Sequence, residues 1–158
     1  MSKIYLYSGP IHSGKTTRLE NWIKQSPSAD GILTPVINNK RYLKYMSTWE
    51  LHLLESDLSD IDLIEQIGKY KFLKDEFRKA HIYLLNLINN TPKWIIIDEI
   101  GFLELGGQGF EPAVSQLIRS LKNNPNVNIV LVIRETLTEK IIDYFKIDTN
   151  SWTVFDPD

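Results

Sequence analysis

No cysteine occurs among the 158 residues. That absence excludes disulfides and thiolate zinc sites, and it is compatible with a soluble cytoplasmic protein. No apolar run approaches the roughly 18 residues of a membrane span. The opening "KIYLYSG" is too short for a secretory leader and runs straight into a glycine loop. Basic blocks are missing as well: 18 Lys and Arg against 20 Asp and Glu leave a net charge of -2. Nothing therefore indicates broad nucleic-acid affinity, and a polyanionic ligand would have to be held by locally placed donors. Repeats, low-complexity segments and linkers are absent too. With 42% hydrophobic and 24% charged residues, the chain suits one domain over residues 1–158.

What is present begins at residue 8 with "SGPIHSGKTTR". Gly9, four residues, Gly14, Lys15 and Thr16 have the spacing of a phosphate cradle. The short apolar run "IYLY" (4–7) reads as a buried strand before it. Leu19, Trp22 and Ile23 mark a helix over 15–24 after it, stopped by "QSPS". The loop thus lies between a strand and a helix, as that pattern requires.

Downstream, "GILTPVI", "RYLKYMS" and "WELHLLE" read as three strand-like runs with Asn38 and Asn39 as a turn, a strand followed by an antiparallel hairpin extension. The acidic stretch 56–70 reads as a solvated surface. Phe77, Ala80, Leu84, Leu85 and Ile88 predict a helix over about 73–89, with His81 packed or at its rim. "KWIIIDE" (93–99) reads as a strand buried on both faces. A helix over about 111–122, the strand "VNIVLVI" (127–133), the helix "TEKIIDYF" and the strand "SWTVF" complete the chain. Alternating strands and helices imply an α/β fold, three layers with a mostly parallel central sheet covered on both faces. Ligands bind such sheets at the carboxyl ends of the strands. The glycine loop, the acids after "KWIII" and Arg134 all fall there.

The candidate phosphate-binding residues are Gly9, Pro10, Ile11, His12, Ser13, Gly14, Lys15, Thr16 and Thr17. Backbone N–H groups and the helix N-terminus would wrap a β-phosphate. Lys15 can bridge β- and γ-phosphate oxygens, and the Thr16 hydroxyl can coordinate Mg²⁺. Asp98, a buried acid, needs a cation, and Mg²⁺ beside Thr16 would supply one. Glu99 can orient a water and take its proton. Arg134 is equally suited to absorbing charge on a transferred phosphoryl group and to a salt bridge at its strand end. Arg18 reads as an exposed helix residue. Glu104 reads as a surface acid or as a residue that positions a water or a loop. The glycines of "GGQGF" (106–110) suggest a mobile lid.

With these motifs read, the chain resembles the small nucleoside-triphosphatases first described from thermophiles, also called the cancer-related nucleoside-triphosphatase family. The resemblance is carried by Gly9 to Leu19, "GILTPV" (31–36), "IGKY" (67–70) and "IIIDEIGFLEL" (95–105). Phe110, "NNPNVNIVLVI" and Arg134 also match. It implies a P-loop NTPase fold of the branch with an added strand between the Walker A and Walker B strands. It also implies a catalytic glutamate beside the Walker B aspartate and slow Mg²⁺-dependent hydrolysis of several nucleoside triphosphates. Carried over residue by residue, Lys15 and Thr16 serve phosphate and metal, Asp98 the metal and Glu99 the water. Two departures stand out. His12 and Ser13 occupy the loop crown where the family usually has Gly and a small apolar residue, and Thr34 is followed by Pro35 and Val36 where the family has an acid.

The loop also looks like that of cytoplasmic thymidine kinases, but those carry a cysteine-bound zinc that this chain cannot form. A nucleotide or small-metabolite kinase remains an alternative, as does a nucleotide-dependent switch acting through a partner. The sequence itself names no protein partner.

Overall fold

The computed structural model describes residues 3–9, 14–26 and 28–158. Strand β1 (Lys3–Gly9) leads to helix α1 (Lys15–Lys24) and strand β2 (Ala29–Leu33). The run expected as one strand over 31–37 breaks at Pro35, which has no N–H for a ladder. Strand β3 (Val36–Ile37) therefore stands apart and pairs with β4 (Lys40–Tyr45). Asn38 and Asn39 have φ of 51° and 64°, the conformation a two-residue hairpin turn demands. Strand β5 (Leu51–Leu53) pairs antiparallel with β4.

The acidic stretch is not all solvated surface. Strands β6 (Ile64–Ile67) and β7 (Tyr70–Leu73) form a separate two-stranded hairpin around Gly68 and Lys69. Asp57, Asp60 and Asp62 are exposed, whereas Glu65 on β6 is half-buried. Helix α2 (Lys74–Asn90) follows, burying Phe77, Ala80, Leu84 and Leu87 and ending in a left-handed Thr91 before Pro92. Next come β8 (Trp94–Ile100), the short α3 (Phe102–Leu105), α4 (Ala113–Ser120), β9 (Asn128–Arg134), α5 (Thr138–Tyr144) and β10 (Trp152–Val154).

The main sheet has eight strands in the order β10-β1-β9-β8-β2-β4-β3, with β5 on β4. The first five run parallel, and β4 returns antiparallel along β2. Strand β9 lies between β1 and β8, so one strand separates the glycine loop from Asp98, the arrangement that the resemblance implies. Along β8 the side chains alternate between faces. Ile95 and Ile97 join Leu84 and Leu117 on the α2 and α4 side, while Ile96 joins Leu19 and Ile23 of α1. Each such fully buried side chain contributes about 1.5–3 kcal/mol relative to exposure. The two apolar layers fix the sheet between helices and hold the carboxyl ends of β1, β9, β8 and β2 in one row.

Candidate active site

Gly14, with φ of +79°, turns the chain into α1, a conformation that costs a residue with a Cβ. Among the described residues no side chain caps the helix start, and no acid stands in its first turn. Pro10, Ile11, His12 and Ser13 lie outside the described residues. Thr17 is exposed on the first turn of α1. Lys15 is buried, with 8% of its surface exposed. Its Nζ donates to the Ile133 carbonyl at 3.0 Å and to the Gly9 carbonyl at 3.3 Å, and stands 3.6 Å from Glu99 Oε2. One ammonium thus touches the ends of β9, β1 and β8.

The Thr16 hydroxyl donates to Asp98 Oδ2 at 3.1 Å. Burial pushes the Asp98 carboxyl up to about 6, and the neighbouring Glu99 charge adds to the shift. The Thr16 hydroxyl, the Arg41 guanidinium and the Thr34 backbone pull it partly back. A desolvated carboxylate beside a hydroxyl is a pair of hard oxygen donors, and it suits Mg²⁺, which keeps most of its sphere for water and phosphate. Thr16 and Asp98 are the residues that would hold it.

Glu99 sits at an irregularity in β8. Asp98 pairs with Val132 and Ile100 with Ile133, so Glu99 has no partner on β9. Such a bulge re-aims side chains at a strand end. Glu99 Oε1 lies 3.6 Å from Arg134 Nε, and Oε2 faces Lys15. Of the two roles read for Arg134, the salt bridge is therefore present. Arg18 behaves as an exposed helix residue and reaches Asp158 at 3.5 Å.

Glu104 corrects the surface-acid reading. It is 3% exposed, and burial raises its carboxyl to about 7. Its Oε1 accepts from Gly101 N–H at 2.7 Å and its Oε2 from Phe110 N–H at 3.0 Å, which brackets the loop between. Gly109 N–H donates to Glu65 at 3.1 Å, and its carbonyl accepts from His81 Nε2 at 2.7 Å. The "GGQGF" segment is thus pinned, not the loose lid its glycines suggest, and His81 is a packing residue.

Arg41 is the site residue that local sequence features do not reveal. It is half-buried, donates through one nitrogen to the Thr34 carbonyl at 2.9 Å, and has no ion-pair partner among the described residues. With Glu99 and Arg134 it lines a solvent-open cleft of about 100 Å³ on the α2 side of the sheet. A lone arginine on a strand carries no signal; only the antiparallel return of β4 brings it here.

A family model described as NTPase matches residues 4–155. The fold is similar to the crystal structure of THEP1 from the hyperthermophile Aquifex aeolicus, at 20% identity and a TM-score of 0.74, covering 97% of this chain and 88% of that one. It is also similar to the solution structure of a human cancer-related nucleoside triphosphatase, at 20% identity and a TM-score of 0.65, covering 98% of this chain and 88% of that one. No curated protein matches the chain in sequence. Among the described residues, no helix is long and apolar enough to cross a membrane.

Proposed function

The chain belongs to the NTPase family, and from that premise we propose that residues 1–158 form a single cytoplasmic domain hydrolysing nucleoside triphosphates to diphosphate and phosphate with Mg²⁺. ATP, GTP and other triphosphates are all substrates in this reading, as the resemblance to small nucleoside-triphosphatases implies. The observation that carries it is the placement of Glu99, held 3.6 Å from both Lys15 and Arg134 and next in sequence to the Thr16–Asp98 pair.

The Lys15 ammonium is satisfied by two carbonyls and a carboxylate. A triphosphate offers it stronger acceptors, and α1 directs its uncapped N–H groups at the same place. Transfer of Lys15 to phosphate oxygens leaves Glu99 free of one of its two cations. The carboxylate then takes a proton from a water aligned with the γ-phosphate. Arg134 keeps the carboxylate oriented through its other oxygen. Bound Mg²⁺ would neutralise the charge that builds on the phosphate oxygens. Thr16 and Asp98 would supply the protein oxygens for it.

The test is Mg²⁺-dependent phosphate release from ATP, GTP, CTP and UTP, with Glu99→Gln measured alongside. Release from several triphosphates is expected, with kcat lower by about 10² to 10⁴ in the variant, the usual worth of a general base. Equal kcat in both proteins would remove Glu99 from the reaction.

A further inference from the structure

A carboxylate is the ordinary partner of a guanidinium, yet the hydrogen bonds of the Arg41 guanidinium go to neutral oxygens. The backbone of Arg41 fixes where its side chain starts. Its N–H donates to Glu55 Oε1 at 3.1 Å, and its carbonyl accepts from the N–H groups of Leu54 and Glu55, both at 3.1 Å. The next residue, Tyr42, donates its N–H to the Pro35 carbonyl at 2.9 Å. From this anchored position one guanidinium nitrogen reaches Thr34, 2.9 Å from its carbonyl and 3.4 Å from its hydroxyl. Thr34 directly follows the last residue of β2 and is buried, with 4% of its surface exposed. The ladders of β2 with β8 and β4 stop short of it, so the sheet itself does not hold it. Its N–H nevertheless has a definite task, donating to the Asp98 carboxylate. Asp98 thus accepts from two donors, the Thr16 hydroxyl at 3.1 Å and the Thr34 N–H.

We propose that Arg41 is a positioning residue for the metal site, and that it acts through Thr34 to hold the Asp98 carboxylate against Thr16. The proposal rests on the reading of Thr16 and Asp98 as the residues that would hold Mg²⁺. Near-ideal octahedral geometry is demanded there, so a carboxylate free to turn away from Thr16 is a poor ligand. Outer partners of a metal-binding side chain are typically worth about 10- to 100-fold in affinity for the metal. Two effects of Arg41 oppose each other. Its charge repels a second cation, whereas its hydrogen bonds keep Thr34, and with it Asp98, in place. The guanidinium is partly exposed, and an effective dielectric constant of about 20 near a protein surface weakens the repulsion. Thr34 is buried, so water does not replace a lost donor there. Positioning is therefore the larger effect.

Binding of a radiolabelled non-hydrolysable ATP analogue to the full chain, once with Mg²⁺ and once with EDTA, separates the metal from the phosphates. Wild type should bind more tightly with Mg²⁺. Arg41→Met should bind at least tenfold more weakly than wild type in Mg²⁺ and within twofold of it in EDTA. Arg41→Lys keeps a donor and should recover part of the loss. Arg41→Gln, too short to reach Thr34, gives the same comparison if Arg41→Met folds poorly. Equal binding by wild type and variant in Mg²⁺ would overturn the proposal and leave the Thr16–Asp98 site standing. Tighter binding by the variant in Mg²⁺ would overturn it as well, because repulsion would then outweigh positioning. Equal weakening in Mg²⁺ and EDTA would reassign Arg41 to the phosphates or to the fold. A wild type indifferent to Mg²⁺ would sink the metal reading itself.

Discussion

Arg134 Nε stands 3.6 Å from Glu99 Oε1, joining the ends of two neighbouring parallel strands. Lys15 stands at the same distance from the other oxygen. The two cations are not equivalent. In the proposed mechanism the buried Lys15 leaves for phosphate when a triphosphate binds, whereas the partly exposed Arg134 stays with the carboxylate. On that reading Arg134 is a positioning residue for Glu99.

Arg134→Ala should therefore lower kcat about 10²-fold, the scale of a roughly 1 Å misplacement of a reacting group. Nucleotide affinity should change little. An arginine that reached the transferred phosphoryl group would be worth about 10³ to 10⁵. Steady-state kinetics with a separate binding titration divides the cases. A loss beyond 10³ would put Arg134 on the phosphate, and a rise in KM at constant kcat would make it a binding residue. Arg134→Lys should recover only part of the loss, since an ammonium lacks the planar fork that fixes a carboxylate.

The strand and helix that flank the glycine loop, and the strand that carries Asp98, were legible because each is local. Gly9 to Thr16 is one contiguous motif, and three isoleucines before Asp98 mark a strand buried on both faces. The pairing of Glu99 with Arg134 was half legible: both sit at parallel strand ends, but their adjacency depends on β9 entering between β1 and β8. Arg41 was invisible because its place depends on an antiparallel return after Pro35. The β6–β7 hairpin was missed because Glu65 and Gln66 read as solvated. Its contacts are instead with the loop at Gly109, more than 40 residues away in sequence. Glu104 misled for a related reason, since a carboxylate that binds only backbone N–H groups leaves no charged partner to find.

Gly31 tests how the sheet is assembled beside the site. It lies in β2 opposite Ile96, with φ of +145°, and a Cβ there would stand 2.0 Å from the Ile96 carbonyl oxygen. That neighbour is the backbone of the central strand and cannot swing aside. Gly31→Ala should destabilise the protein by at least about 4 kcal/mol, within the exceptional class of substitutions. The melting temperature should fall by roughly 10 °C or more. A melting temperature within a few degrees of wild type would mean that β2 can shift on β8 without loss.

Glu104 gives a pH dependence with a definite sign. Burial raises its folded-state carboxyl to about 7 from an ordinary 4.5. Between those values the folded protein holds the proton and the unfolded chain does not, so stability falls as pH rises. The Glu104 contribution is complete below about pH 4.5 and is lost as pH passes 7. Asp98, raised to about 6, acts in the same direction, so wild type alone cannot isolate Glu104. Glu104→Gln removes this titration and leaves that of Asp98. The variant should be less stable at pH 5, because its amide nitrogen cannot accept from both Gly101 and Phe110. Its disadvantage should shrink by roughly 1–3 kcal/mol between pH 5 and pH 8. Denaturant unfolding of both proteins across that range measures the gap. Parallel profiles would show that Glu104 does not change protonation there, and a gap widening with pH would mean that its ionised form is the one the fold prefers.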